Sequence, residues 1–233
     1  YAEDIELYVN HDVDVEEKPR VLLIFDTSGS MAFSSSTGSN CGQYSSGGWA
    51  LCSDSRLAAA QFAMNKVITD NEDTIDFGLM RFKATDGGYI VNGVGKDSTI
   101  IRNSLAALPA AGGTPLTETL WEAYLYITGQ GVQYGLEASI IERDTSVESS
   151  STVQVENQYC YWAGRGRNRY QVCNTYYVPE TNYTYISPFA DSTAEAKRCD
   201  NSINIIYMTD GDPSGDNDSD SQISAEHEKY FGE

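Results

Sequence analysis

The sequence predicts an α/β fold, a doubly wound and mainly parallel sheet with helices on both faces. Two short apolar runs, 21–25 (VLLIF) and 203–208 (INIIYM), lack polar alternation, as strands buried on both faces do. Both runs give way to an aspartate, Asp26 and Asp210. Between them, strand-like and helix-like segments alternate.

The elements follow in order. Residues 5–9 (IELYV) suit a short edge strand, and 21–25 is the first central strand. Residues 33–53 are loop by composition, with Cys41 and Cys52 closing a small ring inside it. Ser53 or Asp54 is expected to cap a helix reaching about residue 69, with Leu57, Gln61, Met64 and Ile68 on one face. Residues 75–82 and 89–91 read as strands, and 98–108 as a short helix ended by Pro109. Thr114 is a good cap for the next helix, Pro115 sits where helix starts accept proline, and Gly129 stops it. Its apolar stripe is Leu116, Leu120, Tyr124 and Ile127.

Residues 130–200 break this rhythm. They hold eight of the sixteen tyrosines and three of the five cysteines, without helical period. TVQVENQYCYW and YQVCNTYYV, separated by AGRGRNR, form a hairpin pattern. A turn centred between Gly166 and Arg167 sets Cys160 opposite Cys173, the second expected disulfide. Cys199 is left over. The strand 203–208 then completes the order strand, helix, strand, strand, helix, helix, strand. Residues 1–233 thus read as one domain with an acidic N-terminal segment (1–20), a loop insertion (33–53) and a Tyr/Cys-rich insertion (130–200).

Composition excludes several functions. The formal net charge of -19 leaves nothing to neutralise phosphates, so nucleic acid is not expected as a partner. No stretch approaches the about 20 consecutive apolar residues of a membrane-spanning helix. Cysteines in polar surroundings, without C-x-x-C spacing, favour disulfides and an oxidising compartment. The chain opens at Tyr1 without a leader pattern, as a processed product would.

The chemistry lies at the strand ends. In an open parallel sheet Asp26, Asp210 and Thr114 converge on one rim, and Ser28 and Ser30 join them. Two carboxylates and three hydroxyls are oxygen donors only, which suits a hard divalent cation: Mg2+ first, with Ca2+ or Mn2+ as alternatives. Only two negative charges leave such an ion short of ligands, so it keeps waters or accepts an anionic oxygen from another molecule. A hydrolase would need a nucleophile and a base, but G-x-S-x-G and the phosphate-loop lysine are both missing.

D-T-S-G-S-M after an apolar strand, G-G-T-P at a later helix start and T-D-G after another strand resemble the von Willebrand factor type A domain. The resemblance implies a metal-ion-dependent adhesion site made by Asp26, Ser28, Ser30, Thr114 and Asp210. More narrowly, KPRVLLIFDTSGSM behind an acidic N-terminus, a Cys/Tyr-rich insertion and TDGDPSGDNDSD resemble the PilY family of type IV pilus tip proteins. That implies a secreted bacterial adhesin, exported through the periplasm to the pilus tip. Its partners would be minor pilins, other tip components, or a host or abiotic surface ligand with an acidic oxygen.

Two departures accompany the resemblance. The gap from Thr114 to Asp210 is longer than the family norm, which the insertion explains. A complete domain of this type needs further strand and helix units after T-D-G, so the chain is expected to be incomplete at its C-terminus, and Cys199 to have its partner there. Asp216, Asp218 and Asp220 match positions of a calcium loop whose later positions fail, leaving either a second Ca2+ site or a solvated acidic loop. The function expected is a non-enzymatic, metal-dependent adhesion or assembly domain. The alternatives are a cation-stabilised structural module and, behind it, a metal-dependent hydrolase.

Overall fold

A computed structural model describes residues 18–41, 43–45, 48–50, 52–139, 141–190, 202–211 and 222–225. The edge strand expected at 5–9, Cys199, and Asp216, Asp218 and Asp220 lie outside the described residues.

The central strand β1 (Arg20–Phe25) has Leu22, Leu23, Ile24 and Phe25 wholly buried. It runs parallel to β4 (Asp76–Phe82) on one side and to β8 (Ile203–Met208) on the other. The edge strand β5 (Gly88–Asn92) joins β4 antiparallel, giving the order β5-β4-β1-β8. The mainly parallel sheet expected from the unbroken apolar runs is therefore present.

Both faces are covered, which explains why β1 shows no polar alternation. On one face Leu23, Phe25, Phe77 and Leu79 pack against α1 (Arg56–Asn71) and α2 (Ser98–Ala106) through Leu57, Met64, Ile68, Ile101 and Leu105. On the other, Leu22, Ile24, Met80, Phe82 and Ile90 meet Trp121, Leu125 and Tyr126 of α3 (Leu116–Thr128).

Several boundaries differ from expectation. The cap of α1 is Ser55, whose side chain accepts from the Ala58 amide, and not Ser53 or Asp54. Asp54 instead accepts hydroxyls from Ser34 and Ser36. Within the 33–53 loop, β2 (Gln43–Ser45) and β3 (Gly48–Ala50) form a small hairpin beside the Cys41–Cys52 disulfide. Helix α3 starts after Pro115 and ends at Gly129 in the left-handed region.

The stripe of α3 is also displaced. Its buried residues are Glu118, Thr119, Trp121, Glu122, Ala123, Leu125 and Tyr126. Leu120, Tyr124 and Ile127 line an open apolar groove with Ile205 and Ile223. Strand β8, expected to be buried, is half-exposed: Ile205 and Ile206, on opposite faces, are 37% and 38% exposed. It pairs on one edge only among the described residues.

The 130–200 insertion carries a long ribbon. Strands β6 (Glu148–Ala163) and β7 (Tyr170–Tyr185) pair antiparallel along their whole length, with Cys160 opposite Cys173 and disulfide-bonded to it. Its base is tied to the body by Val132 N to Tyr183 O, Tyr185 N to Gln130 O and Ile186 N to Val147 O. Tyr185 enters the core edge-on to Tyr126, and its hydroxyl donates to Glu122 at 2.7 Å.

Candidate metal centre

A parallel strand delivers the residue after it to the carboxyl edge of the sheet, and β1 and β8 do so side by side. Asp26 follows β1 directly and is fully buried, with its amide bonded to the Met208 carbonyl at 2.9 Å. A carboxylate so deep needs donors. Ser28 N gives Oδ1 a bond of 2.7 Å, and Thr209 Oγ1 gives Oδ2 one of 2.9 Å. The Asp210 amide is a longer third at 3.4 Å.

From there the hydroxyls run outward. Ser28 Oγ lies 2.9 Å from Ser30 Oγ, and Ser30 Oγ donates to Asp210 Oδ1 at 2.8 Å. Asp210, contributed from 180 residues beyond Ser30, also pairs with Arg56 at the start of α1 through its other oxygen. Ser28, Ser30 and Asp210 therefore form a linked run of oxygens, and Asp26 is tied to it through the backbone amides of Ser28 and Asp210.

Thr114 reaches the same rim on a separate loop. Ala111 N donates to Thr27 O at 2.6 Å, and Gly29 N to Gly112 O at 3.1 Å. Gly112 has φ of 103°, and a Cβ there would meet the Ala84 backbone at 2.4 Å, so only glycine fits this crossing. Thr114, two residues on, is 6% exposed. Thr27 Oγ1 bonds to Phe82 O at the end of β4, which fixes the first loop to a third strand.

The donors fit a hard cation. They are oxygens without sulfur or imidazole, as Mg2+, Ca2+ or Mn2+ require. Adjacent oxygens on an octahedral shell of radius about 2.1 Å stand about 3 Å apart. The Ser28–Ser30 and Ser30–Asp210 separations, 2.9 and 2.8 Å, are of that size. Arg56 now supplies the positive charge beside Asp210, and the two carboxylates exceed it by one negative charge.

Two contributors escaped the sequence reading. Thr209 stood inside the T-D-G motif without a role, although a hydroxyl next to a strand-end carboxylate is a natural donor to its neighbour. Arg56 carried no signal at all, because its partner is 154 residues away.

Fold and site together define an open α/β protein with an oxygen-only cation-site candidate at the carboxyl edge of its sheet. No family model matches the chain, and comparison with curated proteins finds no match. Among solved structures, the D319A mutant of the PilB minor pilin from Streptococcus sanguinis is similar at 17% identity and a TM-score of 0.37. That match covers 50% of this chain and 28% of that one. The PilB minor pilin itself is similar at 19% identity and a TM-score of 0.33, over 46% of this chain and 26% of that one. The chain thus spans about a quarter of the length of these two pilins. An uncharacterized membrane spanning protein from Vibrio fischeri is similar at 18% identity and a TM-score of 0.35, over 92% of this chain and 100% of that one. TM-scores this low carry no inference about family or function.

Proposed function

We propose that this chain is a non-enzymatic adhesion or assembly domain that binds its partner through a divalent cation, Mg2+ first, held by Asp26, Ser28, Ser30, Thr114 and Asp210. One observation carries the reading: two strand-end carboxylates and two loop hydroxyls, from both ends of the sequence, meet in one hydrogen-bonded cluster, Asp26 joined to it through the amides of Ser28 and Asp210. The donors would take part of the ion's shell and leave the rest to water or to a partner's acidic oxygen. Asp26 would anchor the set through its buried bonds, and the serines would add neutral ligands that do not quench the charge. Its place at a bacterial pilus tip, exported through the periplasm, rests on the sequence resemblance to the von Willebrand A domain and to the PilY family. On that reading the partners are minor pilins, other tip components, or an acidic surface ligand.

Carboxylate-coated beads provide the test, because a chain of net charge -19 is repelled by them unless a cation bridges the two. Retention in Mg2+ should exceed retention in a chelator at least tenfold, and Asp26→Ala and Thr114→Ala should each abolish the difference while circular dichroism stays unchanged. Calorimetry with Mg2+ alone should show one site in the parent chain and none in Asp26→Ala. Equal retention with and without the chelator rejects the adhesion reading. Phosphatase or esterase turnover that disappears in Asp26→Ala would establish the hydrolase alternative in its place.

A further inference from the structure

The β6–β7 ribbon has two chemically different faces. Side chains alternate along a strand, and directly opposed residues share a face. The Cys160–Cys173 disulfide therefore lies on one face together with Glu156, Gln158, Thr175, Trp162 and Tyr177, whose hydroxyl donates to Glu156. The other face presents Val153, Tyr159, Tyr161, Tyr170, Tyr176 and Val178, which are 41 to 62% exposed. Tyr159 and Tyr161 stack on each other at 6.0 Å, and neither belongs to either buried core cluster. Among the described residues the ribbon packs into the body at its base, through Tyr183 and Tyr185. A two-stranded ribbon is marginal by itself, and this one leaves an apolar strip facing water.

Charge is divided along the same ribbon. Residues 157–179 contain Arg165, Arg167 and Arg169 and no acid, within a chain of net charge -19. Towards the base the sign reverses, and exposed Glu180, opposite Val153, lies on the apolar face.

We propose that this apolar face is a self-association surface, on which a second copy of the chain lays its own ribbon face to face and antiparallel. A two-fold axis near Tyr159 stacks the tyrosines and valines of the two copies. It also brings the arginine tip of each over Glu180 of the other. The overlap is about 14 residues at about 3.3 Å each and about 10 Å wide, so the pair covers on the order of 1,000 Å2. That is the low end for a specific interface and points to a reversible dimer, with a dissociation constant in the micromolar range. The disulfide sits on the outer face, where it holds the register without entering the contact.

Sedimentation velocity on the full 233-residue chain tests this, in a chelator so that the cation-site proposal cannot influence the result. The parent should pass from monomer to dimer between low micromolar and several hundred micromolar concentration. Tyr159→Ser/Tyr161→Ser, both exposed and outside the core, should weaken the dimer at least tenfold with thermal unfolding unchanged. Trp162→Ser, on the opposite face, should leave it intact. Arg165→Glu/Arg167→Glu should weaken it, and adding Glu180→Arg should restore it in part. A chain that stays monomeric throughout overturns the proposal, as does a dimer indifferent to the tyrosine pair or equally sensitive to Trp162→Ser.

Discussion

Strand β1 and the β6–β7 ribbon are both β-structure held by complete backbone ladders, yet they stand at opposite extremes of burial. Six residues of β1 have neighbours on both edges and side chains packed on both faces. The ribbon's two strands, 16 residues each, pair with each other over their whole length, meet the 130–132 segment at the base, and are exposed along most of their length. Hydrogen bonding is thus common to both, and what differs is the apolar area removed from water. The body folds because β1 has no other place to go. The ribbon holds through cross-strand pairs, one disulfide and its anchored base.

That contrast breaks most visibly when equal cuts are made in the two regions. Phe25→Ala deletes a fully buried ring between the sheet and α1, and should cost about 3–5 kcal/mol in urea denaturation. Val153→Ala on the ribbon should change the same midpoint by less than about 0.5 kcal/mol. Comparable losses at the two positions would show that the ribbon belongs to the body's cooperative unit.

Their junction should give the next largest effect. Glu122 is wholly buried in α3 and accepts the amides of Gln133, Tyr134 and Gly135 as well as the Tyr185 hydroxyl. Burial raises its proton affinity above the ordinary carboxylate value of 4.5, against the pull of those bonds. Burial also raises Tyr185, and the neighbouring Glu122 carboxylate raises it further. Tyr185→Phe removes one bond to a charged acceptor and should cost about 1.5–3 kcal/mol.

The sign of the pH effect follows. A carboxyl with a raised folded-state value holds its proton in the native chain after the unfolded chain has lost it. Its stabilisation is complete below 4.5 and falls as pH rises through the folded-state value. Glu148, also raised by burial, adds a slope of the same sign. Glu122→Gln should therefore remove part, and not all, of the decline in stability above pH 4.5, measured by urea midpoints across pH.

Much of this was legible in the sequence because the determining interactions are local or periodic. The unbroken apolar run of β1 announced burial on both faces, and the spacing of Leu57, Met64 and Ile68 placed the inner side of α1. A symmetric turn was enough to set Cys160 against Cys173. Four of the five candidate ligands could be brought together on strand order alone. The failures have one physical origin, since burial depends on neighbours far along the chain. INIIYM, mostly apolar like VLLIF, was expected to be as buried, yet β8 has a single neighbouring strand among the described residues. The Leu120–Tyr124–Ile127 stripe followed helical period, but the larger ring of Trp121 and the bonded carboxylate of Glu122 took the inner face.

At the sheet edge the difference between regions can be sharpened without touching the core. Arg56 pairs with Asp210 and competes with any cation for that carboxylate. Removing one positive charge from a partly solvated site a few ångströms away is worth about 1 kcal/mol. Arg56→Ala should therefore tighten Mg2+ binding about fivefold in calorimetry, with the urea midpoint almost unchanged. Weaker binding would show that Arg56 orients Asp210 more than it competes for it.

The smallest global effect should come from the most conspicuous covalent bond. Cys160 and Cys173 close a ring spanning 13 residues near the ribbon tip, far from Leu22, Phe25 and the rest of the core. Chain entropy assigns about 3 kcal/mol to such a ring, but only within the unit whose unfolding opens it. Among the described residues the ribbon meets the body at its base, through Tyr183, Tyr185, the Val132–Tyr183 and Tyr185–Gln130 bonds and the Arg143–Glu148 pair. In Cys160→Ser/Cys173→Ser the urea midpoint of the body should accordingly stay within about 0.5 kcal/mol. Hydrogen exchange of amides in 154–162 and 171–179 should meanwhile speed up by at least tenfold, because the distal ribbon then opens locally. A large drop in the body's own midpoint would mean that the ribbon's register is transmitted through Tyr185 to Glu122 and into α3. The two regions, so different in burial, would then unfold as one.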